Sequence, residues 1–113
     1  MQELYQSGFM VQNKTKTDDG LGGYIETWAN DLEVDGILDL LSGETSDKAN
    51  RPTETSTHIF MQEASDMAPT LAVLSINSRI IFDGKVYYVD YIDKPFNHHL
   101  EAYLRFDGDM NEV

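Results

Sequence analysis

The chain has 113 residues, no cysteine, and 20 acidic against 8 basic residues, which gives a formal net charge of −12. This length suits one domain, the lack of cysteine excludes disulfides and thiolate metal sites, and the charge opposes binding to nucleic acid or anionic membranes. The N-terminal residues 1–5 lack the pattern of a signal peptide, and the longest apolar run, residues 71–76, is far below the ~20 residues of a membrane span. We therefore expect a soluble intracellular protein with a single domain over residues 1–113.

The first part of the chain predicts extended structure. A strand is expected near Gly8 to Lys14, and the glycine-rich residues 18–23 predict a loop. From Tyr24 to Leu40 the side chains alternate as on a strand. One parity carries Tyr24, Trp28, Leu32, Val34, Leu38 and Leu40, and the other carries Asp31, Glu33, Asp35 and Asp39. Gly36 is interpreted as a bulge or bend, so one long strand and two consecutive strands are both allowed.

A long polar segment then interrupts the pattern. Residues 42–57 contain almost no apolar side chain, and we interpret them as one long flexible loop. A single helical turn at residues 46–50 would have no apolar side chain to anchor it to a core. Loops of this length in compact domains are usually functional or disordered.

The second half predicts four further strands. Residues 57–63 alternate as a strand, and a short break follows at residues 64–69. Asp83-Gly84 between two apolar runs is typical of a type I′ hairpin, with Ile80 opposite Tyr87 and one face formed by Ile80, Phe82, Tyr87, Val89 and Tyr91. In the last strand, residues 99–106, apolar and polar side chains alternate, as expected of a strand that is buried on one side.

Together these segments predict an all-β fold. About six antiparallel strands with one long flexible loop, and no convincing amphipathic helix, favour a small single-domain β-barrel, because closure removes exposed strand edges. The predicted core consists of Trp28, Leu32, Val34, Ile80, Phe82, Tyr87, Val89 and Leu104.

Candidate chemistry is sparse. Asp18-Asp19 is most simply a turn, and Asp31, Glu33 and Asp35, about 7 Å apart along a strand, are best read as a solvated face. The histidines are His58, His98 and His99, and the adjacent pair would point to opposite faces of a strand. We predict no catalytic, cofactor or metal site and no enzymatic activity. The lysines and arginines are scattered along the sequence, which argues against an oligonucleotide-binding barrel.

The C-terminal third resembles the head-closure (head–tail joining) proteins of tailed bacteriophages and prophages. The similarity lies in Arg79-Ile80-Ile81-Phe82-Asp83-Gly84-Lys85-Val86-Tyr87-Tyr88-Val89, in Asp93-Lys94-Pro95, and in Leu100-Glu101. Earlier matches are Gly22, Gly23, Glu26 and Trp28, followed by Thr57, His58 and Phe60. The resemblance covers most of residues 8–106. This chain has Asn77-Ser78 where many relatives have glycine-aspartate, so the turn before Arg79 is not carried over.

The resemblance implies a structural virion protein of the phage neck. It would form a ring of about twelve copies below the portal and adaptor proteins, and would offer a docking surface to the tail terminator. Packaged DNA would pass close by without specific binding, and no membrane would be involved. The channel-narrowing stopper loop would be Ser42, Gly43, Glu44, Thr45, Ser46, Asp47, Lys48, Ala49, Asn50, Arg51, Pro52, Thr53 and Glu54.

Two alternatives stay open. A neighbouring neck component, such as a tail terminator or adaptor, shares most of these sequence features. An acidic DNA mimic that inhibits a host DNA enzyme belongs to a different class, and the acidic stripe from Asp31 to Asp39 is the feature that favours it.

Overall fold

The computed structural model describes residues 4–41 and 56–110. Six strands and one helix make up the described part, together with a short 3₁₀ turn at Pro95–Asn97. The strands are β1 (Gln6–Asp18), β2 (Tyr24–Leu40), β3 (His58–Glu63), β4 (Arg79–Phe82), β5 (Lys85–Asp93) and β6 (His99–Asp109), and the helix α1 is Ala64–Val73. No helix among these residues has the length and apolar character needed to cross a membrane.

The six strands form one antiparallel sheet that closes on itself. Their order around the barrel is β1-β2-β3-β6-β5-β4, and β4 returns to pair with β1. The predicted all-β barrel of about six antiparallel strands is therefore confirmed. The loop predicted at residues 42–57, and with it the candidate stopper residues 42–54, falls almost entirely outside the described residues.

The hairpin between β4 and β5 has the predicted turn and register. Asp83 and Gly84 both have positive φ, at 52° and 73°, as a type I′ turn requires. Ile80 lies opposite Tyr87 and Phe82 lies opposite Lys85. Tyr91, however, is not on the face of Ile80 and Tyr87. Asp90 is an extra residue in β5, since Val89 pairs with Leu104 and Tyr91 pairs with Tyr103, and this bulge turns Tyr91 outward.

Three phenylalanine rings fill the centre of the barrel. Phe9 stacks on Phe82 with ring centroids 4.0 Å apart and meets Phe60 edge-on at 4.8 Å. Offset and edge-to-face ring pairs of this kind add to the stabilisation that comes from burial. The fully buried side chains around them include Val11, Ile80, Leu100 and Leu104.

Gly36 lies beside an irregularity of the sheet, as the predicted bulge or bend implies, because the register of β1 and β2 shifts between the pairs Gln6–Gly36 and Phe9–Val34. The strand β2 continues through it, pairing with β1 up to this residue and with β3 beyond it. A Cβ atom placed at Gly36 would collide with the ring of Phe60 and would lie 2.8 Å from the carbonyl oxygen of Met61. Glycine is needed here because β3 and its central aromatic ring pass close to the β2 backbone.

The helix α1 was not predicted from the sequence. Pro69 lies inside it and removes one backbone hydrogen bond, which disguises the segment as a break between strands. Met67, Leu71 and Leu74 follow the i, i+4, i+7 spacing of a helix face, and all three contact the core. The helix therefore serves as an apolar cover, packing on β2, β3 and β6.

Substitution of Gly36 by alanine tests the close passage of β3. We expect Gly36→Ala to lower the free energy of unfolding by about 1–3 kcal/mol, because the new methyl group overpacks against Phe60. Denaturant unfolding of the purified protein measures the change. The double variant Gly36→Ala/Phe60→Leu should lose less unfolding free energy than the two single variants lose in total, because the two residues are in contact. Simple additivity would contradict the proposed contact.

Candidate interaction surface

Seven of the eight predicted core residues lie in the core or pack against it. Val34, Ile80, Tyr87, Val89 and Leu104 are buried in the core, and Leu32 and Phe82 pack against it while remaining partly exposed. Trp28 is the exception, because it lies half-buried outside the core cluster.

Trp28 is on the outer face because β2 contains a bulge. Val11 pairs with Leu32, but the next residue, Gln12, pairs with Asn30, so Asp31 is an extra residue in β2. A one-residue bulge reverses the parity of the strand beyond it. Trp28 therefore shares a face with Gln12 and Asn30, and the prediction that it lies in the core was wrong.

The carboxylates of both bulge residues receive hydrogen bonds from neighbouring side chains. The Asn13 side-chain amide donates to Asp31 Oδ2 at 2.6 Å. Arg105 Nη1 donates to Asp90 Oδ1 at 3.1 Å, and the Ser56 hydroxyl donates to Asp90 Oδ2 at 3.0 Å. These hydrogen bonds stabilise the two bulges, at which the side chains of the outer face no longer alternate simply.

The strand register creates a continuous row of basic and aromatic side chains on the outside of the barrel. Lys14 is opposite Trp28, Gln12 is opposite Arg79, Arg79 is opposite Tyr88, and Tyr88 is opposite Arg105. Of the eight lysines and arginines, six lie in the described residues, and four of these six belong to this face: Lys14, Lys16, Arg79 and Arg105. Although scattered along the sequence, these residues are grouped by the fold.

Each of these four cations lies near an aromatic ring. The Arg79 guanidinium is 4.4 Å from the Trp28 ring centroid, with Lys14 at 5.3 Å from the same ring. Lys16 lies 4.4 Å from Tyr24, and Arg105 lies 5.6 Å from Tyr88. Cation–π contacts at these distances are attractive and favour Arg over Trp in particular. We call this face, formed by Lys14, Lys16, Trp28, Arg79, Tyr88 and Arg105, the basic-aromatic face.

Arg79 is the fixed centre of the basic-aromatic face. It is only 5% exposed, and its Nε donates to Gln12 Oε1 at 2.7 Å. The Gln12 side-chain amide in turn donates to Asn30 Oδ1 at 2.7 Å. This chain of bonds joins β4, β1 and β2 and holds Trp28 in place from beneath.

A cleft of about 700 Å³ opens beside Trp28. Lys14, Trp28, Ile76, Tyr88 and Arg105 line it, together with the acidic residues Glu26 and Asp90. The cleft thus combines two aromatic rings and one isoleucine with polar side chains, two cations and two carboxylates. Tryptophan, tyrosine and arginine are the residues most enriched at the energetic centres of protein interfaces. This surface is chemically suited to binding another protein.

A second cleft, of about 480 Å³, lies next to α1 and has the opposite charge. Glu33, Asp35 and Asp66 contribute to its lining. Tyr5 also lines it, and its hydroxyl accepts a hydrogen bond from the Glu63 backbone at 2.5 Å. Burial is the main reason that the pKa of Tyr5 is raised above its usual value of 10.0. These carboxylates make the surface around the second cleft acidic.

The other candidate residues have structural partners. Asp18 and Asp19 accept hydrogen bonds from backbone amides of the 18–23 loop, as expected of a turn. His99 Nε2 is 3.0 Å from Glu101 Oε2. Among the residues that the structure describes, no three histidine, aspartate or glutamate side chains come together as a metal site.

A symmetry of the hairpin could have revealed part of the basic-aromatic face. Residues equidistant from Leu21 pair with each other, so Asp18 faces Tyr24 and Lys14 faces Trp28. The partners of Arg79 and Arg105 depend on the order of distant strands, for which the sequence contains no local signal.

Comparison with protein-family models and with curated proteins finds no match to this chain.

The pH dependence of the unfolding free energy tests the burial of His58. Burial lowers the pKa of His58 below its usual value of 6.5, and its ring packs edge-on against Tyr87 at 5.1 Å. The unfolded chain therefore binds more protons than the folded chain below that value, and stability should fall as the pH decreases. We expect the difference in unfolding free energy between wild type and His58→Gln to shrink between about pH 7.5 and 5.5.

Urea unfolding at a series of pH values measures this difference. His98→Gln changes an exposed histidine and should retain the wild-type dependence. A His58→Gln variant whose stability followed the wild-type pH curve in parallel would show that His58 is not the group responsible.

Proposed function

We propose that this chain is a structural protein of the neck of a tailed bacteriophage. In this role it completes and closes the filled head, forms a ring of about twelve copies below the portal and adaptor proteins, and presents the docking surface for the tail terminator. The observation that carries the proposal is the closed six-stranded barrel in which β2 and β3 are joined by the polar segment 42–57. This is the position at which the resembled head-closure proteins have their channel-narrowing loop.

The anchoring of this segment supports the proposal. The Leu41 backbone amide donates to the Thr57 carbonyl at 2.8 Å, and the Thr57 amide donates to the Leu104 carbonyl at 2.8 Å. The two ends of the segment are thus held beside each other, and Thr57 is held in turn on β6. An insertion attached in this way can vary without disturbing the barrel that presents it.

The charge distribution also supports a place beside DNA without adhesion to it. A channel wall that neutralised phosphates would hold the DNA back, because each Lys or Arg contact releases counterions and adds affinity. Here the net charge is −12, and most of the described cations are stacked on aromatic rings of one outer face. DNA can pass such a protein without a strong electrostatic grip.

The DNA-mimic alternative is less well supported. A mimic needs carboxylates at regular spacing along an exposed face. The bulge at Asp31 breaks the alternation of the stripe from Asp31 to Asp39, and the Asp31 carboxylate accepts a hydrogen bond from Asn13.

Inactivation of the gene in a phage or lysogen tests the neck role. We expect DNA-filled or leaking heads together with free tails, because heads without their closure protein cannot join tails. Electron microscopy of the lysate measures the outcome, and a reconstruction of the virion neck distinguishes the closure ring from an adaptor or tail terminator. Normal infectious particles from the disrupted strain would refute the proposal.

Removal of residues 42–54 tests the channel-narrowing role separately. The hydrogen bond between Leu41 and Thr57 brings the cut ends close enough for a short glycine linker. We expect the shortened chain to retain the β-sheet circular dichroism and cooperative melting of the wild type, while heads carrying it lose DNA. Heads that kept their DNA as well as wild-type heads would exclude this segment as the stopper.

A further inference from the structure

The hairpin of β1 and β2 extends beyond the barrel. β4 pairs with β1 only at residues 10–12, whereas β1 and β2 remain paired out to Asp18 and Tyr24. Residues 13–18 and 24–30 therefore form a two-stranded ribbon that ends in the loop 19–23. At about 3.3 Å per residue, the tip lies more than 10 Å beyond Trp28.

The loop at the tip of this ribbon is held by hydrogen bonds and carries one exposed leucine and two carboxylates. The Gly20 amide donates to Asp18 Oδ1 at 2.9 Å, and the Leu21 and Gly23 amides donate to Asp19 Oδ1 at 2.7 and 3.1 Å. These bonds fix the loop, yet Leu21 at its centre is 91% exposed. A preorganised loop loses little conformational entropy on binding, so the exposed leucine is well suited to inserting into a partner.

The cleft beside Trp28, which we call the basic-aromatic cleft, has the complementary properties. Within a largely polar lining it offers three side chains for apolar contact, Trp28, Tyr88 and the 65% exposed Ile76, and its cations are Lys14 and Arg105. The tip offers one exposed leucine and the carboxylates of Asp18 and Asp19. The cleft is a concavity of about 700 Å³, which is sufficient for a side chain of that size.

We infer that the 18–23 tip of one copy docks in the basic-aromatic cleft of a second copy of this chain. Leu21 lies against Trp28 and Ile76, and the carboxylates of Asp18 and Asp19 face Lys14. Charge complementarity favours this occupant, because four of the six described lysines and arginines of a chain of net charge −12 lie on the basic-aromatic face that contains the cleft. This inference rests on the ring proposed above, for which it supplies the contact between neighbours.

The contact is head-to-tail. Each copy uses its tip once and its cleft once, so the interface is heterologous and propagates until it closes into a ring. A symmetric dimer would instead bring two copies of the same patch together and could not continue. The geometry therefore predicts rings or short arcs as the assembled species.

Nucleic acid is a poorer occupant of the cleft. Arg79 is buried beneath Trp28, Arg105 is paired with Asp90, and Glu26 and Asp90 would face the phosphates. Single-strand binding needs a cationic groove that follows the backbone. A short acidic protein loop makes fewer demands on the positive charge available.

The absence of cysteine allows a direct test by disulfide trapping. Two single-cysteine variants, Leu21→Cys and Ile76→Cys, are purified separately and then mixed at high concentration under mild oxidation. Because the two cysteines are on different chains, only an intermolecular contact can join them, and the sulfur atoms must approach to bonding distance. We expect a cross-linked dimer that accumulates faster in the mixture than in either variant alone.

Matched variants define the specificity of the cross-link. Leu40 is 70% exposed, close to the value for Ile76, so the Leu21→Cys and Leu40→Cys pair controls for random collision and should give only background product. Lys14→Glu on the Ile76→Cys chain should reduce the yield about fivefold. Lys85→Glu makes the same change of net charge away from the cleft and should leave the yield unaltered.

Each outcome of this test is decisive. Equal yields from the Ile76 and Leu40 pairs, or equal effects of Lys14→Glu and Lys85→Glu, would overturn the docking contact. Single-stranded DNA that quenched Trp28 fluorescence and blocked the cross-link at low stoichiometry would assign the cleft to nucleic acid and overturn it as well. A chain located in the virion neck but lacking the cross-link would keep the proposed function and remove only this contact. A cross-link formed by a chain absent from virions would keep the docking contact and remove the proposed function.

Discussion

The packing of Phe60 against Gly36 is the constraint on which the rest of the barrel depends. The ring of Phe60 sits where a side chain on Gly36 would otherwise be, and it meets Phe9, which stacks on Phe82. This one row of contacts draws β2, β3, β1 and β4 around a common centre. Closure of the sheet then follows, because β4 is held within hydrogen-bonding reach of β1. The outer face owes its geometry to the same closure, since its rows of side chains run across strands that only the barrel brings together.

The parts of the fold that could be predicted are those that depend on neighbours in sequence. The Asp83-Gly84 hairpin has the predicted turn and pairing because two residues determine both. Trp28 and Tyr91 were assigned to the wrong face because each lies beyond a one-residue bulge, and simple alternation contains no sign of an inserted residue. The helix was hidden by Pro69, whose ring is usually excluded from helix interiors. Strand order alone brings Lys14, Arg79 and Arg105 together, and strand order is a property of the whole chain.

The basic-aromatic face changes the meaning of the net charge. A value of −12 suggests a uniformly repulsive molecule, which would have no reason to contact its own copies. The structure instead concentrates cations on one side, where they stack on Trp28, Tyr24 and Tyr88 and are partly offset by Glu26 and Asp90. Around the second cleft it places carboxylates such as Glu33, Asp35 and Asp66. Such polarity permits oriented association between like molecules while the total charge still keeps them soluble.

The closing seam of the barrel is short, and it lies directly under this face. β1 and β4 join through only three residue pairs, whereas β1 and β2 join through eleven. The last of the three seam pairs is Gln12 with Arg79, which is also linked by the side-chain bond beneath Trp28. Local opening of a protein starts where the fewest bonds must break, so we expect the sheet to open first at this seam. A neighbouring copy bound over Trp28 would oppose the opening of this seam, and hydrogen exchange of the β4 amides would slow on assembly.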